Sequence, residues 1–185
     1  MKLVDKLIYG YLTNSLITNE NTITLNKISV LDEFVKSVMV KKATEKHHII
    51  DSYNEAKRWR TGMGGELALE QFLGKNFVDL TIGDSKNYHT PDLSKLGLSV
   101  GIKTVEIGKF PIIFKNSKKP EIIILKLNDD TFSILGLASV NVLNKYYDDE
   151  QILSPSLKSR GTKTAFVGLH SLKTFKTFED LVKLL

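Results

Sequence analysis

The sequence predicts an α/β fold in which a mixed sheet is flanked by helices, an arrangement also classed as α+β. Three observations lead to this prediction. Helical periodicity dominates residues 29–73, β-prone segments dominate residues 77–137, and an amphipathic helix occupies residues 177–185. Helices that precede and follow a group of strands are typical of a layered domain with the sheet in its middle.

The first half of the chain predicts two helices after 26 residues that are ambiguous between helix and strand. From Ser29, which can cap a first turn, apolar residues recur at helical spacing; they are Leu31, Phe34, Val35, Val38 and Met39. A second helix is expected to begin at Ser52 and to end at Gly74. Three glycines are expected to interrupt or bend it, namely Gly62, Gly64 and Gly65.

The middle of the chain predicts strands. Residues 77–82 are β-prone, and residues 98–105 alternate well enough for a strand. Residues 121–127 are almost continuously apolar, which favours a central strand covered on both faces. A turn at residues 128–130 should let residues 132–137 pair with that strand.

The last third of the chain predicts two helices and one strand. Residues 139–147 are expected to be helical, residues 165–169 to add an edge strand, and residues 177–185 to form a capped helix. No linker separates these elements, so we expect a single domain over residues 1–185.

Composition limits the classes of protein that the chain can represent. Its 185 residues suit one domain, and the absence of cysteine excludes disulfides, zinc–thiolate sites and cysteine nucleophiles. The formal net charge of +5 is compatible with a nucleic-acid partner but does not require one. The chain has no signal-peptide pattern and no long apolar run, so we expect a cytoplasmic protein without a membrane partner.

Residues 91–103 carry the strongest chemical signal. Asp92 follows a proline, a turn-prone stretch comes next, and an apolar run then ends at Lys103. This order is expected to bring a carboxylate and an ammonium group from successive strands to one end of the sheet. A carboxylate can hold a divalent cation, and a nearby lysine can help to deprotonate water and offset negative charge. Upstream, Glu66 follows a Gly-Gly pair at the start of a helical stretch.

Each of these residues also has an ordinary structural interpretation. Glu66 could compensate a helix dipole, Asp92 could bond the backbone of a turn, and Lys103 could point into water from an edge strand. However, Lys103 shares its strand face with Gly101 and Val105, and a buried ammonium group needs a partner. Carboxylates at positions 66 and 92 would supply one.

Residues 58–127 resemble the common core of the PD-(D/E)XK nuclease superfamily, which has a restriction-endonuclease-like fold, and in particular its small phage or mobile-element members. The resemblance implies a magnesium- or manganese-dependent endonuclease that hydrolyses DNA, with double-stranded DNA as the expected substrate. By residue, it implies Asp92 and Glu66 as metal ligands and Lys103 as the group that orients or activates water. It also divides the chain into a mostly helical extension (1–60), a catalytic core (61–138), and C-terminal helices with an edge strand (139–185).

One position departs from the family pattern, which usually has an acid two residues before the lysine. This chain has Gly101 there, and a site for magnesium needs several hard oxygen ligands. We rank Glu66 first as the compensating acid, then Asp84, then Glu106, and the Ile102 carbonyl is a further candidate ligand. Glu106 would need a bulge or the end of the strand, because residues 103 and 106 of a regular strand point to opposite faces.

Two basic clusters are expected to contact the phosphates of DNA without reading its sequence; they comprise Lys57, Arg58 and Arg60, and Lys158, Arg160 and Lys163. Ordinary surface charge is the alternative for both. Two other functions remain open, namely a catalytically impaired DNA-binding protein on the same fold and a non-nuclease interaction protein. A homodimer and a role inside a phage-infected host cell also remain open.

Overall fold

The computed structural model describes residues 3–44, 52–81, 90–152 and 154–185. It confirms a mixed α/β fold with a mixed sheet flanked by helices. Its α-helices are α1 (Leu3–Leu16), α2 (Ile28–Thr44), α3 (Ser52–Leu73), α4 (Val140–Lys145), α5 (Pro155–Arg160) and α6 (Phe178–Lys183). Its strands are β1 (Thr22–Thr24), β2 (Gly101–Glu106), β3 (Ile112–Phe114), β4 (Glu121–Lys126), β5 (Thr131–Ala138), β6 (Tyr147–Asp148) and β7 (Lys163–Phe166). None of the described helices is long and apolar enough to cross a membrane.

A four-stranded sheet with the order β1-β5-β4-β2 forms the centre of the molecule. β4 pairs antiparallel with β5 and parallel with β2, which is therefore an edge strand. The predicted central strand and its pairing with the next strand are confirmed. The turn between them depends on Asn128, whose Oδ1 accepts N–H bonds from Asp130 (3.0 Å) and Thr131 (2.8 Å).

The apolar run of β4 is explained by burial of both faces of the sheet. Ile122 and Ile124 belong to a cluster that includes residues of α2 and α3. Ile123 and Leu125 belong to a second cluster that includes β7 and α4. Every residue of β4 is buried, which is the pattern expected of a strand covered on both sides.

A second, three-stranded sheet has the order β3-β7-β6. The prediction of an edge strand at residues 165–169 is therefore wrong in two respects, because β7 spans Lys163–Phe166 and lies between two neighbours. Ala165 pairs with Ile112 of β3, and Phe166 pairs with Tyr147 of β6. The two neighbouring strands have only three and two residues, which is too short for a recognisable period in the sequence.

Most of the predicted helices are confirmed. In α2, Leu31, Phe34 and Val38 are buried, but the helix begins at Ile28, so Ser29 lies inside it rather than at its cap. The ambiguous N-terminal segment, from Leu3 onward, contains α1, a 3₁₀ turn (Asn19–Asn21) and β1. The caps of α4 and α6 are Ser139 and Thr177, whose side chains accept N–H bonds from the first turn of each helix.

The expected strand at residues 77–82 is wrong within its described part. The backbone there has no regular structure, because the N–H groups of Phe77 and Val78 both donate to Glu70 Oε2, each at 2.9 Å. The Glu70 side chain of α3 therefore accepts the hydrogen bonds that the backbone of a neighbouring strand would otherwise have accepted. Gly74 ends α3 in the left-handed conformation, with φ of 60°, as predicted.

The glycines of α3 do not interrupt or bend it, since the helix is continuous from Ser52 to Leu73. A Cβ atom at Gly64 would overlap the Phe132 ring, and one at Gly65 would overlap the side chain of Thr104. The two glycines thus allow the helix to approach the sheet more closely than any other residue would. They act as spacers, and α3 crosses the expected boundary at residue 60 without a break.

We expect Gly65→Ala to lower the free energy of unfolding by about 1–3 kcal/mol, because the added methyl group must displace Thr104 or the helix. Gly62→Ala is the matched control, since a Cβ atom there would meet nothing within 4 Å. It should raise the same free energy by about 0.5–1 kcal/mol, the usual gain from alanine inside a helix. Urea unfolding of both variants measures the difference, and equal stabilities would contradict the close-packing interpretation.

Candidate functional site

The candidate site begins at the open edge of β2. Gly101 N–H donates towards the β4 side, to Pro120 O at 3.0 Å. Because successive N–H groups of a strand point to opposite sides, that of Ile102 points away from the sheet, and Asp92 Oδ2 accepts it at 2.6 Å. Asp92 is thus fixed against the edge strand, where groups from both faces of the sheet can reach it.

Asp92 reaches this position from a turn, so the expectation that it begins a strand is wrong. After the turn come a 3₁₀ helix (Ser94–Leu96) and Gly97, which has φ of 76°. Leu93 is fully buried and its N–H donates to Val100 O at 3.2 Å. β2 itself begins three residues later than predicted. The loop folds back onto β2, and this brings Asp92 close to the strand that carries Lys103.

Glu66 approaches from α3, on the sheet face that carries the cluster of Ile122 and Ile124. The pKa of Glu66 is raised to about 7, chiefly by burial and also by the charge of Asp92, while the charge of Lys103 opposes the shift. These effects require the three groups to lie within electrostatic range of one another. The structure therefore brings together the three residues that the sequence analysis selected.

Lys103 and Gly101 lie on the opposite face of β2, and a glutamate that the sequence analysis overlooked lies beside them. Gly101 pairs with Glu121, the first residue of β4. The Lys103 Nζ atom is 3.9 Å from Glu121 Oε2, and the Glu121 side chain is 6% exposed. Burial raises the pKa of Glu121, and the positive charge of Lys103 opposes that shift.

Glu121 fills the space that a side chain at position 101 would occupy. A Cβ atom built on Gly101 would lie 2.7 Å from the Glu121 Cδ atom, so the carboxylate would have to move to make room for it. We ranked Glu66, Asp84 and Glu106 as replacements for the missing acid, and Glu121 was not among them. Asp84 lies outside the described residues. Glu121 was not considered because it directly precedes the apolar run that predicts β4, and it was counted as part of that strand.

Glu106 is held elsewhere. It forms ion pairs with Lys57 (2.7 Å) and Lys109 (2.6 Å) at the far end of β2. The pairing of β2 with β4 is regular from residue 101 to residue 106, so no bulge turns Glu106 towards the face of Lys103. The Ile102 carbonyl does face the open edge, because the N–H and C=O of one residue in a parallel strand point to the same side.

The structure separates the six basic residues into two groups. Lys57, Arg58 and Arg60 pair with acids, respectively Glu106, Glu55 and Asp32. Lys158 and Arg160 are exposed on α5, and Lys163 is half-buried on β7. Within the described parts of the chain, no carboxylate forms an ion pair with Lys163.

Lys163 is the centre of what we call the basic cluster, which comprises Arg58, Lys103, Arg160 and Lys163. Burial lowers the pKa of Lys163, and the positive charges of the other three residues lower it further. The Lys163 Nζ atom lies 4.9 Å from the centre of the Phe114 ring, which is half exposed. Cations from α3, β2, α5 and β7 therefore converge beside the carboxylates.

A groove of about 400 Å³ runs between the first half of α3 and β2. Lys57, Arg58, Lys103 and Lys109 contribute to its walls. A larger groove, of about 630 Å³, lies at the other end of β2 and shares Lys57 and Glu106 with the smaller one. The smaller groove is the one that adjoins Lys103.

The carboxylates provide the donor type that magnesium prefers, namely negatively charged oxygen. Asp92 interacts electrostatically with Glu66 on one side and with Glu121 on the other. Among the described residues, no three acidic or histidine side chains are already close enough together to hold a metal ion. Binding would therefore require the two glutamates to turn towards Asp92, which their rotatable side chains allow.

Comparisons of the chain with protein-family models, with curated proteins and with solved structures find no match. The function must therefore be inferred from the residues themselves.

The raised pKa of Glu66 predicts how stability depends on pH in the metal-free protein. Since the folded state binds this proton more tightly than the unfolded chain, the contribution of Glu66 to stability falls as pH rises from about 4.5 to about 7. Glu66→Gln removes this effect. The free energy of unfolding of the variant minus that of the wild type should therefore be about 1–3 kcal/mol larger at pH 8 than at pH 4. Urea unfolding in a chelator measures it, and a difference that does not change with pH would contradict the burial of this carboxyl group.

Proposed function

We propose that this protein is a metal-dependent endonuclease that hydrolyses phosphodiester bonds of DNA, with a core of the PD-(D/E)XK type. One observation carries the proposal. Asp92 is held against the open edge of β2 by the Ile102 N–H, and there its charge interacts with that of Glu66 from α3, which also interacts with Lys103. Two carboxylates and a lysine, from separate parts of the chain, thus meet at one end of the sheet.

The residues present fit a magnesium or manganese ion, because Glu121 adds a buried carboxylate oxygen that makes no hydrogen bond among the described residues. Asp92 and Glu66 would hold the ion, and the Ile102 carbonyl faces the same edge. When bound, the metal ion would lower the pKa of a water molecule and offset negative charge on the phosphate.

The protein's own residues would orient the substrate and stabilise the developing charge. Asp92 is fixed by its backbone bond, so it needs no reorganisation to keep its position during the reaction. Lys103 is 30% exposed, so its ammonium group can contact a phosphate oxygen while it remains near the carboxylates. There it would help to position water and offset the extra negative charge of the pentavalent transition state.

The basic cluster supports a nucleic-acid substrate. Its Lys163 has no acidic partner among the described residues, so a phosphate group would supply the missing negative charge. Contacts of this type hold the DNA backbone and do not select a sequence. The basic residues that are already paired with acids, such as Lys57 and Arg60, have less charge to offer.

We expect Asp92→Asn to lower the rate of magnesium-dependent plasmid cleavage by at least ~100-fold, since it replaces a charged ligand by a neutral group of the same shape. The amide oxygen can still accept the Ile102 N–H, so the fold should be kept. DNA binding should survive or become tighter, because repulsion of phosphate falls. Gel analysis of plasmid DNA and a filter-binding assay measure the two effects.

The wild-type protein distinguishes the alternatives in the same experiment. If it retains DNA in a salt-dependent manner but cleaves none with magnesium or manganese, it is a binding protein on a nuclease-like fold. If it retains no DNA even at low salt, a non-nuclease interaction protein is favoured. Cleavage by Asp92→Asn at the wild-type rate would show that the activity does not depend on this site.

A pair of double variants tests the division of the basic residues. Each lost phosphate contact lowers the slope of log affinity against log salt concentration by roughly 0.9 on duplex DNA, so Arg160→Gln/Lys163→Gln should lower it by about 1.8. Lys57→Gln/Arg60→Gln removes the same charge from residues that are already paired, and it should change the slope less. Equal changes in the two variants would mean that Arg160 and Lys163 have no special part in binding.

A further inference from the structure

We propose that Glu121 is the third carboxylate of the metal site and that it replaces, from the neighbouring strand, the acid that is missing at Gly101. The inference rests on the proposed nuclease function, and it adds a metal ligand that the sequence motif does not contain.

The first argument is the exchange of space between the two positions. Gly101 and Glu121 are direct partners in the parallel pairing of β2 with β4, and the side chains of such partners point to the same face. The Glu121 carboxylate lies where the side chain of residue 101 would begin. Adjacent strands are only about 4.8 Å apart, a distance that a glutamate side chain can span. Glu121 on β4 therefore places its carboxylate beside Gly101, in the region where the side chain of an acid at position 101 would lie.

The second argument is that the buried oxygen of Glu121 lacks the hydrogen bonds that hold a structural carboxylate in place. Its Oε2 is buried and makes no hydrogen bond to any of the described residues. Lys103, at 3.9 Å from it, is too distant for a hydrogen bond. An ionised carboxylate without hydrogen-bond partners is costly to bury. The ammonium group of Lys103 offsets only part of that cost, so a metal ion beside this oxygen would stabilise it further.

Glu70 shows how a structural carboxylate of this protein is satisfied. Its side chain is also nearly buried, yet Oε2 accepts two backbone N–H bonds, from Phe77 and Val78, and Oε1 is 3.2 Å from the Lys27 Nζ atom. These bonds lower the pKa of Glu70 despite its burial, whereas burial raises that of Glu121. Glu121 therefore lacks the contacts that stabilise a purely structural acid.

The third argument is the position of Glu121 relative to the rest of the site. Glu121 and Gly101 are the first residues of their strands, at the end of the sheet where Asp92 accepts the Ile102 N–H. Glu66 approaches Asp92 from the opposite face. Three carboxylates would thus surround the sheet edge from two sides, and the charge of Lys103 lies among them.

Manganese binding to Glu121→Gln, measured by titration calorimetry, tests the proposal without depending on activity. We expect the affinity to fall at least about tenfold, because the number of charged ligands sets the affinity of such sites. In a chelator, the melting temperature should stay equal or rise, since a neutral amide is less costly to bury. Glu106→Gln is the control, because its carboxylate is paired at the far end of β2, and it should bind manganese as the wild type does.

Moving the carboxylate from position 121 to position 101 provides a second test. Gly101→Glu alone should weaken manganese binding, because its Cβ atom collides with the Glu121 carboxylate, and Glu121→Ala alone should also weaken it. The double variant Gly101→Glu/Glu121→Ala restores both the space and the charge, so it should bind manganese more tightly than either single variant. If the double variant folds but binds manganese no more tightly than the single variants, Glu121 does not replace an acid at position 101.

The outcomes separate this inference from the proposed function. If Glu121→Gln binds manganese like the wild type while Asp92→Asn does not, Glu121 is not a ligand and the nuclease proposal stands. A melting temperature that falls in the chelator, with unchanged manganese affinity, would reduce Glu121 to an ion-pair partner of Lys103. If the wild type binds no manganese and cleaves no DNA, both proposals fail.

Discussion

The parallel pairing of β2 with β4 determines the position of almost every group in the candidate site. Its register places Gly101 beside Glu121 and sets the face from which Lys103 projects. Since no described strand pairs with the other side of β2, its Ile102 N–H can donate to Asp92. The same pairing leaves one face of β2 open to α3, which carries Glu66. A shift of the register by one residue would move Lys103 to the wrong face and break this arrangement.

The site holds its charges at a cost to stability. Burial raises the pKa of both Glu66 and Glu121, and burial together with positive neighbours lowers that of Lys163, so these groups resist their charged forms. Acids elsewhere in the protein, such as Glu70, are stabilised by several bonds and have lowered pKa values. Groups that are destabilised in the folded state are typical of functional sites, where stability is exchanged for reactivity.

The features that could be predicted from the sequence are those that depend on local periodicity. β4, β5, α2 and the capped helix at the C-terminus each contain a full repeat of apolar residues, and all but α2 also have a clear start or stop signal. The glycines of α3 misled us because local preference disfavours them in a helix, whereas contact with Phe132 and Thr104 makes them necessary. Glu121 could not be found because its significance depends on which residue of β2 lies opposite it. Only the strand register contains that information, and the sequence gives no separate signal for it.

The contact between Lys163 and the Phe114 ring affects how readily a polyanion could be bound. A lysine side chain in water samples many rotamers, and fixing it on a ligand costs roughly 0.5–1.5 kcal/mol of conformational entropy. Here the aromatic ring, 4.9 Å from the ammonium group, restrains the side chain without neutralising its charge. A carboxylate partner would have restrained it equally well but would have to be displaced when a ligand arrived. The ring therefore restrains Lys163 much as an ion pair would, but no carboxylate has to be displaced before the ammonium group attracts a polyanion.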